Sequence, residues 1–375
     1  MKNIFLNSII LLFSICIALL ATEFIVRLAI NPVNYLKPKL ESDLILGHKI
    51  IADSGGHDSW GFRNASIPDK VNILAIGDSQ TYGVMAPANE SWPSILAQLT
   101  NKEVYNLSLG GYGPVQYLHL LKTKAKILSP EIVVVAVYLG NDFIDSYRIV
   151  YRNNNWIDFR LKDNKFQQGS EDNQVFDNYD SSIRAWLAHN SVLYRMITNS
   201  VIGDMVRLWE TKKEVIQNNN DNFFTKIKSS NINTGFTPKL RLSGLDLSNV
   251  EVQEGLRISL SALKQMNEYT KENKVKFLVA IIPTKESVYA TLLKKSSEFN
   301  NPVYNKLIDN ESKSTEYIID FLNDNKINYI EPLYAMRNAV VSRAIYPAGY
   351  DGHPNGSGYE VIAKEIFKYI ETNFN

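Results

Sequence analysis

Four short blocks gather the residue types that can do chemistry. The first is Gly77-Asp78-Ser79-Gln80-Thr81-Tyr82-Gly83. A serine in a tight turn between a strand and a helix presents its hydroxyl at the rim of a sheet, and Gly77 gives that turn its freedom. The second, Asn106-Leu107-Ser108-Leu109-Gly110-Gly111-Tyr112-Gly113, has glycines that let backbone N–H groups approach a ligand. The third is Gly140-Asn141-Asp142, and the fourth is Asp351-Gly352-His353-Pro354-Asn355. Such a set suits acyl transfer, which needs a weak nucleophile activated by an adjacent base. It also needs donors aimed at the developing oxyanion, each worth on the order of 3–4 kcal/mol in the barrier.

The elements around these blocks put them in one place. Val71 to Ile76, Val104 to Leu107, Ile132 to Tyr138, Val275 to Ile282 and Ile327 to Ile330 read as strands. Ile132 to Tyr138 is nearly all apolar and β-branched, as a strand buried on both faces should be. Helices are expected at Trp92 to Leu99, Val115 to Leu128, Leu256 to Glu272, Glu316 to Asn323 and Gly358 to Glu371. Alternating strands and helices imply an α/β fold, a parallel sheet covered on both sides. Three blocks then follow strands one to three, and the fourth lies in the loop after strand five. Ligand sites in open α/β sheets gather at those carboxyl ends.

The order serine, glycine, asparagine, histidine, at Ser79, Gly111, Asn141 and His353, resembles the SGNH hydrolases, also called GDSL esterases. The resemblance covers roughly residues 58 to 372, apart from an interruption at about 143–250. It implies a three-layer α/β/α, flavodoxin-like fold with a parallel five-stranded sheet. It further implies Ser79 as nucleophile, His353 as base, and an oxyanion hole from the Ser79 and Gly111 N–H groups and the Asn141 side chain. Gly110 and Gly113 are alternative donors to Gly111. The family's usual final block is D-x-x-H, but that position here is Tyr350, and the available carboxylate is Asp351, two residues before His353. A D-x-H spacing resembles the alginate O-acetyltransferase branch, as does Pro283-Thr284-Lys285-Glu286-Ser287-Val288-Tyr289 after the fourth strand. Asp351 is therefore expected to orient His353; otherwise a Ser-His dyad or a backbone carbonyl serves. Asp78 and Asp142 are expected to hold their own loops.

Other features set bounds. From Ile4 to Ala21 there is no charged residue, and roughly 20 apolar residues cross a bilayer as a helix. With Lys2 in front, residues 1–27 read as a membrane anchor that leaves the rest outside the cytoplasm; a cleaved signal peptide is the alternative. Residues 28–70 read as a stalk and lead-in, and residues 71–375 as the hydrolase domain. The 143–250 interruption reads as an insertion beside the sheet, a cap in one reading, with a helical run from Ile183 to Lys213 and Asn-rich stretches such as Asn218 to Asn220. Forty Lys plus Arg against 39 Asp plus Glu give a net charge of +1, so no field points to nucleic acid. The single cysteine, Cys16, rules out an intramolecular disulfide framework, and no cofactor or metal site is implied. His48, His57, His119 and His189 lack ligand-like spacing and read as surface or packed residues. Lys285 and the tyrosines Tyr82, Tyr112, Tyr138 and Tyr289 line a sugar cleft in one reading and are plain core in the other. Arg63, in Trp60-Gly61-Phe62-Arg63, either reaches the site or is a surface charge.

The expected function is hydrolysis or transfer of an acyl group, most simply acetyl, on an extracytoplasmic carbohydrate, or on a small ester. Envelope polysaccharide machinery is the implied partner. The rival readings are a catalytically silent binding or assembly subunit and a lipase.

Overall fold

The computed structural model describes residues 2–161, 182–198, 200, 203, 205, 222–227, 232–294 and 301–374. Its centre is five parallel strands, β3 (Ile73–Gly77), β4 (Val104–Ser108), β5 (Ile132–Tyr138), β8 (Lys276–Ile282) and β9 (Asn328–Ile330). They lie in the order β4-β3-β5-β8-β9. The chain starts in the middle, steps outward to β4, then crosses back to β5 and continues the other way. The reversal falls between β3 and β5, and loops leaving the carboxyl ends of those two strands diverge around a crevice.

Side chains alternate across the sheet and divide the core in two. Val133, Val135 and Val137 of β5 point to one face, with Leu74 and Ile76 of β3. Helices α4 (Pro114–Leu128), α5 (Asp142–Arg152) and α9 (Val250–Glu272) cover that face. Ile132, Val134 and Ala136 point to the other, against α3 (Trp92–Thr100), α10 (Lys285–Lys294), α12 (Leu333–Ser342) and α13 (Gly356–Asn373). The expected three-layer α/β/α arrangement with a five-stranded parallel sheet is what the chain adopts. The remaining long helix, α11 (Pro302–Asp324), packs on the short helix α8 (Pro238–Leu245).

The amino-terminal helix α1 (Lys2–Ala29) carries the stretch Leu6–Ala29, long and apolar enough to cross a membrane or to serve as a signal sequence, and uncovered by the rest of the protein. Its last turns are not free. The Glu23 carboxylate accepts from Ser191 Oγ and from the Val192 and Leu193 N–H groups, all at 2.9 Å, capping α7 (Val192–Thr198).

Two expectations need correction. The segment expected as a stalk is folded onto the domain: β1 (Leu40–Asp43) and β2 (Gly47–Ile50) form an antiparallel hairpin, and Leu46, Ile50 and Phe62 enter the core. The insertion is not wholly helical. Helices α6 (Ile183–Asn190) and α7 are followed by the hairpin β6 (Phe223–Ile227) and β7 (Ile232–Phe236), whose Phe236 is fully buried. The rest of the expected helical run to Lys213, and Asn218 to Asn220, lie outside the described residues.

Candidate active site

Buried β3 ends at Gly77, and the chain turns at once into the single helical turn α2 (Ser79–Tyr82). Asp78 starts that turn: its side chain accepts from the Gln80 N–H at 2.8 Å and, on the other oxygen, lies 3.2 Å from Ser79 Oγ. Burial pushes the Asp78 carboxyl up to about 6, even though the Gln80 N–H and the nearby His353 act the other way.

The lead-in holds this turn from behind. The buried Arg63 guanidinium donates to the carbonyls of Tyr82 at 3.1 Å, Gly83 at 2.7 Å, Ala86 at 3.0 Å and Val33 at 3.3 Å. His57 adds a bond between Nε2 and the Tyr82 hydroxyl at 2.8 Å, and burial holds its imidazole down at about 4. Arg63 is thus neither a surface charge nor a contact of the reacting groups. It is a brace for the serine turn.

The loop before α13 brings His353 to Ser79. His353 Nε2 lies 2.7 Å from Ser79 Oγ, and Nδ1 lies 2.6 Å from Asp351 Oδ1. The same carboxylate oxygen also accepts the His353 backbone N–H at 2.8 Å, so two bonds fix the ring against its neighbour. Burial would raise the Asp351 carboxyl, but the hydrogen bonds and charge of His353 outweigh it and hold it below its usual range. Tyr350, three residues before His353, packs against Gly235 of β7.

Two further loops complete the surroundings of Ser79. Leu109 to Tyr112 form a turn closed by a 3.3 Å bond from Tyr112 N–H to Leu109 O, with Gly111 at φ +79°. That sign at the third position is a type II turn and suits glycine. Gly110 abuts Ser79, since a Cβ there would lie 3.3 Å from Ser79 Cβ. His48 Nε2–H donates to Gly110 O at 2.9 Å. Because N–H and C=O are antiparallel across a trans peptide, the Gly111 N–H points away from His48. Gly113 is removed as a candidate donor: its N–H is taken by Gln116 Oε1 at 2.8 Å. Asn141 immediately precedes α5, and one Nδ2 proton goes to Asp145 Oδ2 at 2.6 Å, leaving the second. Asp142 is fully buried and accepts from the Tyr138 N–H at 3.0 Å and the Tyr117 hydroxyl at 3.1 Å.

Lys285 and the tyrosines are core and do not form a cleft: Tyr112, Tyr138, Tyr289 and Lys285 are each no more than 2 % exposed. Lys285 Nζ donates to the carbonyls of Gly349 and Asp351, both at 2.9 Å, from a place where burial lowers it to about 8. Thr234 Oγ1 and the Gly235 N–H also donate to Gly349 O, at 3.1 Å and 2.9 Å. The Pro283–Tyr289 block and strand β7 therefore clamp the loop that carries Asp351 and His353. Sequence reasoning missed His48, Asp145 and Arg241 as site neighbours: His48 acts through a backbone carbonyl that any residue possesses, Asp145 through the Asn141 side chain one helical turn away, and Arg241 lies beside Gly352, distant in sequence. Among the described residues no group of three or more His, Cys, Asp and Glu side chains has a metal-holding arrangement.

No family model and no curated protein matches this chain. Similar solved structures include a putative lipolytic protein of the G-D-S-L family from Desulfitobacterium hafniense DCB-2, 13% identical, covering 79% of this chain and 98% of that one at a TM-score of 0.37. A GDSL-like lipase from Bacteroides thetaiotaomicron VPI-5482 is 13% identical, covers 82% and 92%, and has a TM-score of 0.37. A catalytic mutant of an acetylxylan esterase from Geobacillus stearothermophilus is 9% identical, covers 81% and 95%, and has a TM-score of 0.40.

Proposed function

We propose that this chain is a serine esterase or O-acyltransferase that works through an acyl-enzyme on Ser79. The observation that carries the reading is the unbroken path from Asp351 Oδ1 through the His353 ring to Ser79 Oγ, with contacts of 2.6 Å and 2.7 Å. In this reading Asp351 holds the Nδ1–H tautomer, so Nε2 presents its lone pair to the serine hydroxyl. His353 takes the Ser79 proton as Oγ bonds to the ester carbon. The resulting oxyanion accepts from the Ser79 and Gly111 N–H groups and from the second Asn141 amide proton. Collapse breaks the bond to the alcohol, which leaves with the proton from His353. A water or a sugar hydroxyl then repeats the sequence in reverse.

Acetyl esters of a carbohydrate are the proposed substrate class, supported by the Asp351-x-His353 spacing and the Pro283–Tyr289 block that resembles the alginate O-acetyltransferase branch. Helix α1 supports a membrane-anchored protein, and Lys2 before the span supports an extracytoplasmic catalytic domain. An intact proton path disfavours a silent binding subunit.

The test uses p-nitrophenyl acetate with and without an oligosaccharide acceptor. Wild type should release p-nitrophenol and take up a serine-directed phosphonate, whereas Ser79→Ala should do neither while keeping its circular dichroism spectrum. Acetylated acceptor marks a transferase, and release indifferent to acceptor marks an esterase. Phosphonate labelling that survives in Ser79→Ala would sink the assignment.

A further inference from the structure

Gly352 sits between the orienting carboxylate and the base, and what fills the space beside it is a guanidinium. A Cβ on Gly352 would lie 2.6 Å from Arg241 Nη2 and 3.2 Å from its Cζ, so no other residue fits there while Arg241 holds its place. Arg241 belongs to α8. Three residues on, a Cβ on Gly244 would lie 2.7 Å from Gly140 O, and that carbonyl immediately precedes Asn141. Helix α8 therefore lies across both the loop that carries His353 and the loop that carries Asn141, with Arg241 between them.

This guanidinium has no hydrogen bond and no ion pair among the described residues; its Nε is buried without a partner, while the side chain as a whole is partly exposed. The Tyr138 ring lies 5.8 Å from its Cζ. Asp351, Asp78 and Glu286 contribute field at Arg241, but none comes within ion-pair distance. Asp351 is committed to His353 and Asp78 to the serine turn. A buried N–H donor costs on the order of 1–3 kcal/mol when left unmade, and more when charged. A guanidinium is also the group best matched to a carboxylate or phosphate, through two parallel N–H···O bonds.

We propose that Arg241 is a substrate-selecting residue, which binds an anionic group, a carboxylate or a phosphate, carried by the ester substrate next to the bond attacked by Ser79. The inference deepens the esterase or acyltransferase reading and rests on it.

The test measures kcat/KM of the full-length chain for three acetylated glycosides: methyl glucuronoside, methyl glucoside 6-phosphate and neutral methyl glucoside. The wild type should favour an anionic ester by at least about 10-fold, on the scale of a charged contact. Arg241→Gln should bring the ratio to about one, mainly through KM, and Arg241→Lys should restore part of it. The higher of the two anionic values identifies carboxylate or phosphate as the natural group. A ratio of one in wild type, or an unchanged ratio in Arg241→Gln, would overturn the proposal. A second arm needs no turnover: Ser79→Ala is titrated calorimetrically with the same three esters. Absent turnover with retained anion preference would condemn the catalytic reading and spare Arg241; turnover without preference would do the reverse.

Discussion

Two arginines bracket the row of Asp351, His353 and Ser79, and they are treated in opposite ways. Arg63 stands behind the serine turn with its guanidinium spent on four backbone carbonyls. Arg241 stands beside the base loop with nothing accepting from its guanidinium among the described residues. The first tightens Tyr82, Gly83 and Ala86 into the shape that aims Ser79. The second contributes no internal bond, so a structural role would leave a buried donor unaccounted for. The contrast teaches that burial and charge alone do not distinguish a brace from a binding group. Satisfaction does.

The largest effect expected on this comparison lies between the two arginines. Asp351→Asn keeps the shape but offers an amide where the ring needs an acceptor, and kcat should fall on the order of 10³–10⁴-fold with KM little changed. Single-turnover kinetics with p-nitrophenyl acetate would check it, and a loss below about 10-fold would place the ring's orientation elsewhere. Asn141→Ala should cost about 10²–10³-fold in kcat, the usual range for one oxyanion donor.

Arg63→Gln should act on stability: four carbonyls lose a charged donor, so the free energy of unfolding should drop by about 3 kcal/mol in urea melts. Selectivity among esters should not move. Arg241→Gln should show the mirror image, with an unfolding free energy within about 0.5 kcal/mol of wild type. If Arg241→Gln instead destabilises as much as Arg63→Gln, the comparison fails.

The smallest expected effect is a pH slope. Asp78 has a folded pKa of about 6, raised by burial above its unfolded value. Its stabilising contribution is full below the unfolded value, near 4, and is lost as pH rises through about 6. Asp78→Asn keeps the oxygen that accepts from Gln80 and removes the titration. The variant should therefore gain more Tm relative to wild type at pH 7.5 than at pH 5, by a few degrees.

What the sequence made legible was local. Ile132 to Tyr138 declares a doubly buried strand because every position is apolar, and it forms over that span. Asp351 and His353 are two residues apart, and their partnership was expected from the resemblance of that D-x-H spacing to a family branch. The hairpins were not legible. Leu40-Glu41-Ser42-Asp43 has no alternation, and β7 is held through Thr234 and Gly235 to a loop more than a hundred residues later. His48 meets Gly110 across 62 positions, by way of a carbonyl that carries no side-chain signature. Aromatic type was equally silent about burial, so the tyrosines around the blocks fitted a cleft and a core until packing decided.

The two bonds from His353 to one oxygen of Asp351 also bear on how the site comes into being. Carboxylate and imidazole are neighbours in the chain and can meet as soon as that turn forms. The serine must still travel, since Ser79 and His353 are 274 residues apart. One large loop therefore has to close to complete the proton path, and its entropic cost grows only slowly with length. The closing element is α13, which packs on α3 at the early side of the sheet. A ribosome would thus have to release the chain through His353 before Ser79 could react, which delays reactivity until the base loop has been made and has folded back.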